Sequence, residues 1–443
     1  MKQFFPYYKR ILTLAFPVML SQFGQVLVQQ VDNMMVGSVG TIELAAASFA
    51  GNIFIIGMVI GMGFTFGLTP LVGPAWASGD HILAGKWLKN STFLNLTIAF
   101  ILMVLMYTVS FFMDKMGQNE AVVRLAIPYY RILVISMLPF MLFFTLKQFA
   151  EGIGNTLNAM TITLLANVVN ICFNYLFIFG KFGFPELGLT GAGYGTLIAR
   201  TFMPLMFVFI FIRKDIFRPY LINIVKSRLD KKILKRLFEV GWPISSQILL
   251  EVLAFALGAL MMGWLGPVSL AAHQIAIGMA SLTFMIVTGI ASGTTIRVSH
   301  QFNLGDYHSM KKVTAASVHL VLAFMSFTAI MFLLYRNEIP YLYTSDQEVI
   351  KVASRLLIMA AIFQIFDGLQ VVMLGALRGL TDVKYAMFAA FIAYILISLP
   401  LSYFLAFTIK WGPVGIWVGF VASLALAGLL FLARFINRSK LLI

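Results

Sequence analysis

The chain has 443 residues, of which 60% are hydrophobic and only 11% charged. A soluble domain carries roughly 25% charged residues, so a water-facing globule is excluded. The net charge of +15 would suit nucleic acid, but the basic residues cluster in loops between apolar runs. That is the positive-inside pattern of a membrane protein, and no nucleic-acid partner is expected.

The apolar runs are roughly 20 to 30 residues long, enough to cross the hydrocarbon core of a bilayer. They show no two-residue alternation, so helices rather than barrel strands must satisfy the backbone. In chain order the expected helices span 8–36, 45–73, 88–112, 122–148, 158–180, 189–213, 235–264, 270–299, 312–335, 348–377, 384–408 and 413–436. Lys9 and Arg10 precede the first, but no small-residue cleavage site follows, so it reads as a helix of the mature chain. The fold class is an all-α integral membrane protein of twelve transmembrane helices. An even count puts both termini on one side. That side, with the long basic loop and the loop residues Lys147, Arg378 and Lys384, holds roughly three times as many basic residues as the other. It is assigned to the cytoplasm.

The basic stretch 214–234 divides the chain into similar halves. Shifted by 226 positions, Lys9-Arg10 falls on Lys235-Arg236, Pro17 on Pro243, Met35 on Met261, Gly37 on Gly263 and Gly40 on Gly266. Leu44-Ala45-Ala46 falls on Leu270-Ala271-Ala272. Gly63, Gly67, Thr69, Gly79 and Asp80 fall on Gly289, Gly293, Thr295, Gly305 and Asp306. Later, Gly154 and Thr156 match Gly379 and Thr381 at a slightly shorter offset. Six helices per half make these parallel repeats. The expected division is 1–213 as an N-lobe, 214–234 as a linker and 235–443 as a C-lobe, each lobe a six-helix bundle with the substrate path between them.

Three carboxylates fall inside the helices, namely Asp32, Glu251 and Asp367. Each costs roughly 2.5–3.5 kcal/mol to place mid-membrane, and such acids usually face a cavity and bind cations. No lysine or arginine lies one turn away, and Arg200 is the one intramembrane base that could pair with them. Gln22, Gln25, Gln29 and Asp32 form a polar stripe on the first helix, and Asn167, Asn170 and Asn174 form another on the fifth. Gln247 and Phe255 lie one turn either side of Glu251, while Phe363, Gln364 and Gln370 share a side with Asp367. Met35 and Met261, with Met34 and Met262, could add an adaptable apolar lining. At the repeat offset Asp32 meets Gly258 and Glu251 meets Gln25, so each half carries its own acidic site.

Enzyme signatures are absent. There is no G-x-x-x-x-G-K-[ST] loop for ATP and no H-E-x-x-H, and the five histidines, His273 included, are isolated. Cys172 is the only cysteine, within an apolar run, and reads as an inert buried thiol.

At these residues the chain resembles the multidrug and toxic compound extrusion family, in its NorM-like branch. The likeness rests on Val31-Asp32-Asn33-Met34-Met35-Val36-Gly37, Leu250-Glu251-Val252, Ala271-Ala272-His273-Gln274-Ile275-Ala276, Phe366-Asp367-Gly368-Leu369-Gln370 and Gly375-Ala376-Leu377-Arg378-Gly379. The resemblance implies a two-lobe exporter exchanging lipophilic organic cations for Na+ or H+. It implies an N-lobe cation site of Asp32, Asn170, Asn174, Ala192 and Thr196, and a C-lobe site of Glu251 and Asp367, so Na+ could sit at either. The branch often has a tyrosine where this chain has Phe363, which removes an oxygen ligand from the C-lobe set and leaves a cation–π contact.

The expected function is therefore a secondary-active multidrug antiporter of a bacterial inner membrane, working by alternating access without ATP or cofactor. Pro17 and Pro243 would loosen the first and seventh helices at the moving interface. Its partners are small organic cations and the bilayer, and a monomer is expected. The substrate cavity would be lined by Gln25, Gln29, Met35, Gln247, Phe255, Met261, Phe363 and Gln364. The alternatives are a lipid-linked sugar flippase, whose anionic substrates call for a basic cavity, a narrow-substrate metabolite exporter, and, outside transport, a membrane-embedded enzyme, which would need a clustered acid–base or metal set.

Overall fold

A computed structural model of the protein describes residues 2–441. Among the described residues twelve helices are long and apolar enough to cross a membrane. In chain order they are α1 Phe5–Val39, α2 Thr41–Ala77, α3 His81–Val109, α4 Glu120–Gly152, α5 Leu157–Phe179, α6 Gly188–Arg213, α7 Lys231–Trp264, α8 Pro267–Asn303, α9 Tyr307–Leu334, α10 Gln347–Gly379, α11 Val383–Thr408 and α12 Pro413–Lys440. The expected linker carries a short helix of its own, Arg218–Lys226. The chain past it is clamped to α3, because the Asp230 backbone N–H donates to Asn90 Oδ1 at 2.8 Å and Lys89 Nζ to the Ser227 carbonyl at 2.5 Å.

The helices form two compact units that do not follow the division expected at residues 213 and 235. One unit runs from Leu20 to Ser245, and the other joins the segment up to Met19 to the chain from Ser246 onward. Glycines explain why. A Cβ on Gly67 would press on the backbone of Gly241, and one on Gly63 would overlap the backbone of Ser245, so the first half of α7 lies flush against α2. The repeat does the same in the other unit, where Gly293 packs on the Ile11 carbonyl and Ala15, and Gly289 on Ala15 and Met19. Small residues are what let membrane helices approach this closely. Pro17 and Pro243 each stand two residues before the point where their helix passes from one unit to the other.

The repeat is visible in the turns. Gly79 and Gly305 both take left-handed φ (73° and 69°). The carboxylates after them, Asp80 and Asp306, cap α3 and α9 by accepting from Leu83 N and Ser309 N. At the ends of α4 and α10 the equivalence differs from the one expected. Gly152 packs on Thr69 and Val72 as Gly379 packs on Thr295 and Val298. The residues with left-handed φ are then Gly154 (80°) and Thr381 (55°). Gly154 therefore matches Thr381 rather than Gly379, and Glu151 stands where the other unit has Arg378. The two expected loop cations Lys147 and Arg378 lie inside α4 and α10.

α11 is irregular, with π-helical stretches at Phe391–Ser398 and Phe404–Thr408. Pro400 follows the first stretch, and its ring would clash with the carbonyl four residues back in a tight α-turn, which a wider turn relieves. The segment is pinned to α12 by Ser398 Oγ and Ser402 Oγ donating to the Gly419 and Ile416 carbonyls, both at 3.1 Å.

The buried cores are apolar, and most charged residues sit at helix ends. Asp382, just before α11, accepts from Arg434 Nε at 2.7 Å and Arg438 Nε at 3.0 Å. Burial pushes its carboxyl up, but the hydrogen bonds and charge of the two arginines outweigh burial and hold it below the usual carboxylate range. A carboxyl depressed in the folded state contributes its full stabilisation above its unfolded value, about 3.9. That contribution disappears as pH falls through the lowered folded value. Asp382→Asn is therefore expected to lower the melting temperature in detergent at pH 7, with the gap closing as both proteins are scanned below about pH 4.

Candidate cation and substrate sites

In the Leu20–Ser245 unit, Asp32 of α1 meets the asparagine stripe of α5. Asn174 Nδ2 donates to Asp32 Oδ1 at 2.6 Å and is 3.2 Å from Asn170 Oδ1, while Asn170 Nδ2 reaches Thr196 Oγ1 of α6 at 3.4 Å. The expected group of Asp32, Asn170, Asn174 and Thr196 is thus one connected network. Ala192 is buried in the core beside it, one turn before Thr196. Asn174 is fully buried, and its Oδ1 has no hydrogen-bond partner among the described residues. A carboxylate, two amide oxygens and a hydroxyl form the kind of all-oxygen set that suits a hard cation. Arg200 does not pair directly with Asp32. Its guanidinium donates to Ser136 Oγ at 2.8 Å and lies over the Phe54 and Phe140 rings, close enough for its charge to bear on Asp32.

Gly195 completes this site, and sequence reasoning passed over it. A Cβ there would overlap the Asn174 amide. Gln25 is half-buried on α1, whereas Gln29 is exposed and donates to Asn33 Oδ1 at 3.3 Å. Met35 packs against the core. Cys172, expected to be buried, is exposed on α5, because its side chain faces outward with Val168 and Tyr175.

In the other unit, Glu251 of α7 and Asp367 of α10 are near enough for their charges to interact. Glu251 Oε2 accepts from Gln247 Nε2 at 2.8 Å. Gln247 Oε1 in turn accepts from Arg378 Nη2 at 2.7 Å. The base that sequence reading assigned to a loop therefore reaches the acid through an amide. Beside them stands an aromatic wall. Phe255 lies 6.0 Å from Phe363 and 5.0 Å from Phe420, and Phe363 lies 5.4 Å from Trp417, centroid to centroid. Met261 is a core residue here rather than a lining residue, and Gln364 is fully buried, accepting from Thr328 Oγ1 at 2.6 Å.

Several buried polar atoms of this unit have no partner among the described residues. They include both side-chain ends of Gln370, Gln364 Nε2, the Tyr394 hydroxyl, Trp417 Nε1 and His273 Nδ1. Buried polar groups are normally paired, so a cluster of exceptions marks where water or a ligand enters. Tyr394 is close enough for Glu251 and Asp367 to bear on its hydroxyl. It is carried by a π-helical stretch that no local sequence pattern announced. No three of His, Cys, Asp and Glu converge among the described residues, so both sites are built on one or two carboxylates.

The close fit at Gly195 gives a direct test of the Asp32 network. Gly195→Val is expected to displace Asn174 and remove a charge-assisted hydrogen bond worth about 1.5–3 kcal/mol. Titrating Na+ binding to the purified protein should then show the half-saturating concentration rising by about tenfold or more. Gly51→Ala, where a Cβ meets nothing within 4 Å, should behave as the parent.

The MatE family model matches residues 17–176 and again 243–404, one match per repeat. Multidrug resistance protein NorM of Photobacterium profundum is 34% identical over 432 residues, spanning 96% of this chain and 94% of that one. Multidrug resistance protein MdtK of Pectobacterium atrosepticum is 32% identical over 439 residues, spanning 98% and 96%. The fold superposes on the eukaryotic MATE transporter AtDTX14 with a TM-score of 0.88 at 18% identity, covering 99% of this chain and 98% of that one. It also superposes on a multidrug resistance MATE family transporter of the MOP superfamily in its outward-facing conformation, with a TM-score of 0.87 at 19% identity and coverage of 98% and 96%. With both repeats matched and close to full-length relatives, the chain belongs to the MatE family, the multidrug and toxic compound extrusion transporters.

Proposed function

We propose that this protein exports lipophilic organic cations from bacterial cells in exchange for Na+ or H+, by alternating access and without ATP. The observation that carries this reading is the pair of acidic sites built separately into the two units, Asp32 in one and Glu251 with Asp367 in the other. A buried carboxylate is costly to keep ionised, so each site favours a state in which a cation occupies or protonates it. An organic cation satisfies the same charge, and the partly buried Phe255 ring, backed by Phe363, adds stacking and cation–π attraction. Drug and coupling ion then compete for the same negative charge, which gives the differential affinity a transport cycle requires. The names of the relatives, multidrug resistance proteins, agree with a broad substrate range.

The basic bias of the loops supports an inner-membrane orientation with both termini in the cytoplasm. Pro17 and Pro243, close to where α1 and α7 change units, lack a backbone donor and are suited to bending during the cycle.

Ethidium efflux from pump-deficient cells is the test. The parent should expel ethidium, and Glu251→Gln/Asp367→Asn at matched membrane abundance should lose at least nine-tenths of the rate. Asp32→Asn should weaken coupling to the cation gradient. Efflux by the double variant equal to the parent's would remove the acids from the mechanism.

A further inference from the structure

The last turn of α10 places a fixed positive charge near Glu251, the member of the acid pair on α7. Arg378 Nη2 donates to Gln247 Oε1 at 2.7 Å, and Gln247 Nε2 donates to Glu251 Oε2 at 2.8 Å. Gln247 is only 1% exposed and Asp367 4%, so the amide cannot be replaced by bulk water without opening the core. The charge on Glu251 bears on both Asp367 and Arg378. The interposed glutamine matters. A direct guanidinium–carboxylate fork would occupy both oxygens of Glu251, whereas the relay engages Oε2 and leaves Oε1 for a ligand. The arrangement belongs to this site and not to the repeat scaffold, because the equivalent position on α4 is Glu151, an acid paired with Lys147 at 3.8 Å.

With both acids ionised, two carboxylates and one guanidinium leave a single net negative charge. In a low-dielectric interior each uncompensated charge is expensive, so the favoured occupant is the one that brings the sum to zero.

We propose that Arg378 is the fixed counter-charge of the Glu251–Asp367 site and sets its valence, so that the site accepts one monovalent cation and disfavours a divalent one. Arg378 acts as a specificity-determining residue that reaches Glu251 through Gln247. The proposal rests on the exporter reading above, in which the acid pair holds the organic cation.

Ethidium and propidium share a phenanthridinium ring but carry one and two positive charges, so their relative binding reports valence. Binding of each to the purified full-length protein is measured without Na+ in the parent and three variants. Arg378→Gln should move the ratio of the two dissociation constants at least tenfold towards propidium, while Arg378→Lys, which keeps the charge, should retain the parent's ratio. Arg378→Gln/Asp367→Asn restores the single net charge and should return the ratio to within about threefold of the parent. If Arg378→Gln does not fold, the double variant decides alone: a parent-like ratio supports the proposal and a ratio moved towards propidium overturns it. An Arg378→Gln ratio within twofold of the parent's also overturns it. Separately, Glu251→Gln/Asp367→Asn that binds ethidium as tightly as the parent would refute the exporter reading on which the proposal stands.

Discussion

A carboxylate held in a helix bundle surrounded by hydrocarbon must find compensation, and the two units meet that requirement differently. Asp32 is hydrogen-bonded by Asn174, with Arg200 nearby but engaged with Ser136 and two phenylalanine rings. Glu251 is linked to a guanidinium through Gln247, while Asp367 sits 4% exposed with Glu251 as its charged neighbour. None of these arrangements is a closed ion pair, which would silence the acid. Each leaves carboxylate oxygens without a basic partner, and the buried amides of Gln364 and Gln370 on the same helix, with the Tyr394 hydroxyl, add unpaired polar atoms near Asp367.

The scaffold that carries these acids depends on close helix approach. Glycines at matching positions of the repeats, Gly63 and Gly289 or Gly67 and Gly293, bring one helix of each repeat flush against the leading half of another. As a result α1 and α7 each contribute to both units. The carboxylates Asp32 and Glu251 lie on these two helices, beyond the changeover points that follow Pro17 and Pro243. Bending at those prolines would act on the helices that bear these acids.

Much of this was legible in the sequence because lipid imposes simple rules. Long apolar runs and the basic loops identified twelve helices, and Gly79-Asp80 against Gly305-Asp306 announced turns that the structure repeats almost angle for angle. The polar stripes of α1 and α5 pointed to the Asp32 network, because spacing along a helix fixes which side chains share a face. The unit boundaries were not legible, since which helix half packs with which unit is decided by tertiary contact. Arg378 was misplaced for a related reason: a basic residue near a helix end reads as a loop residue until its partner, Gln247, is seen across the bundle. Cys172 was misjudged because an apolar run does not reveal which of its faces turns outward, and the π-helical delivery of Tyr394 leaves no pattern at all.

The central claim is that cation exchange, and nothing else, drives the export. Purified protein in liposomes, with ethidium present and no nucleotide, should move the dye against its gradient when an opposing Na+ or proton gradient is imposed. Collapsing that gradient with the matching ionophore should stop the movement within the same experiment. Uphill movement that survives collapse of both gradients, or that begins only when ATP is added, would contradict the claim.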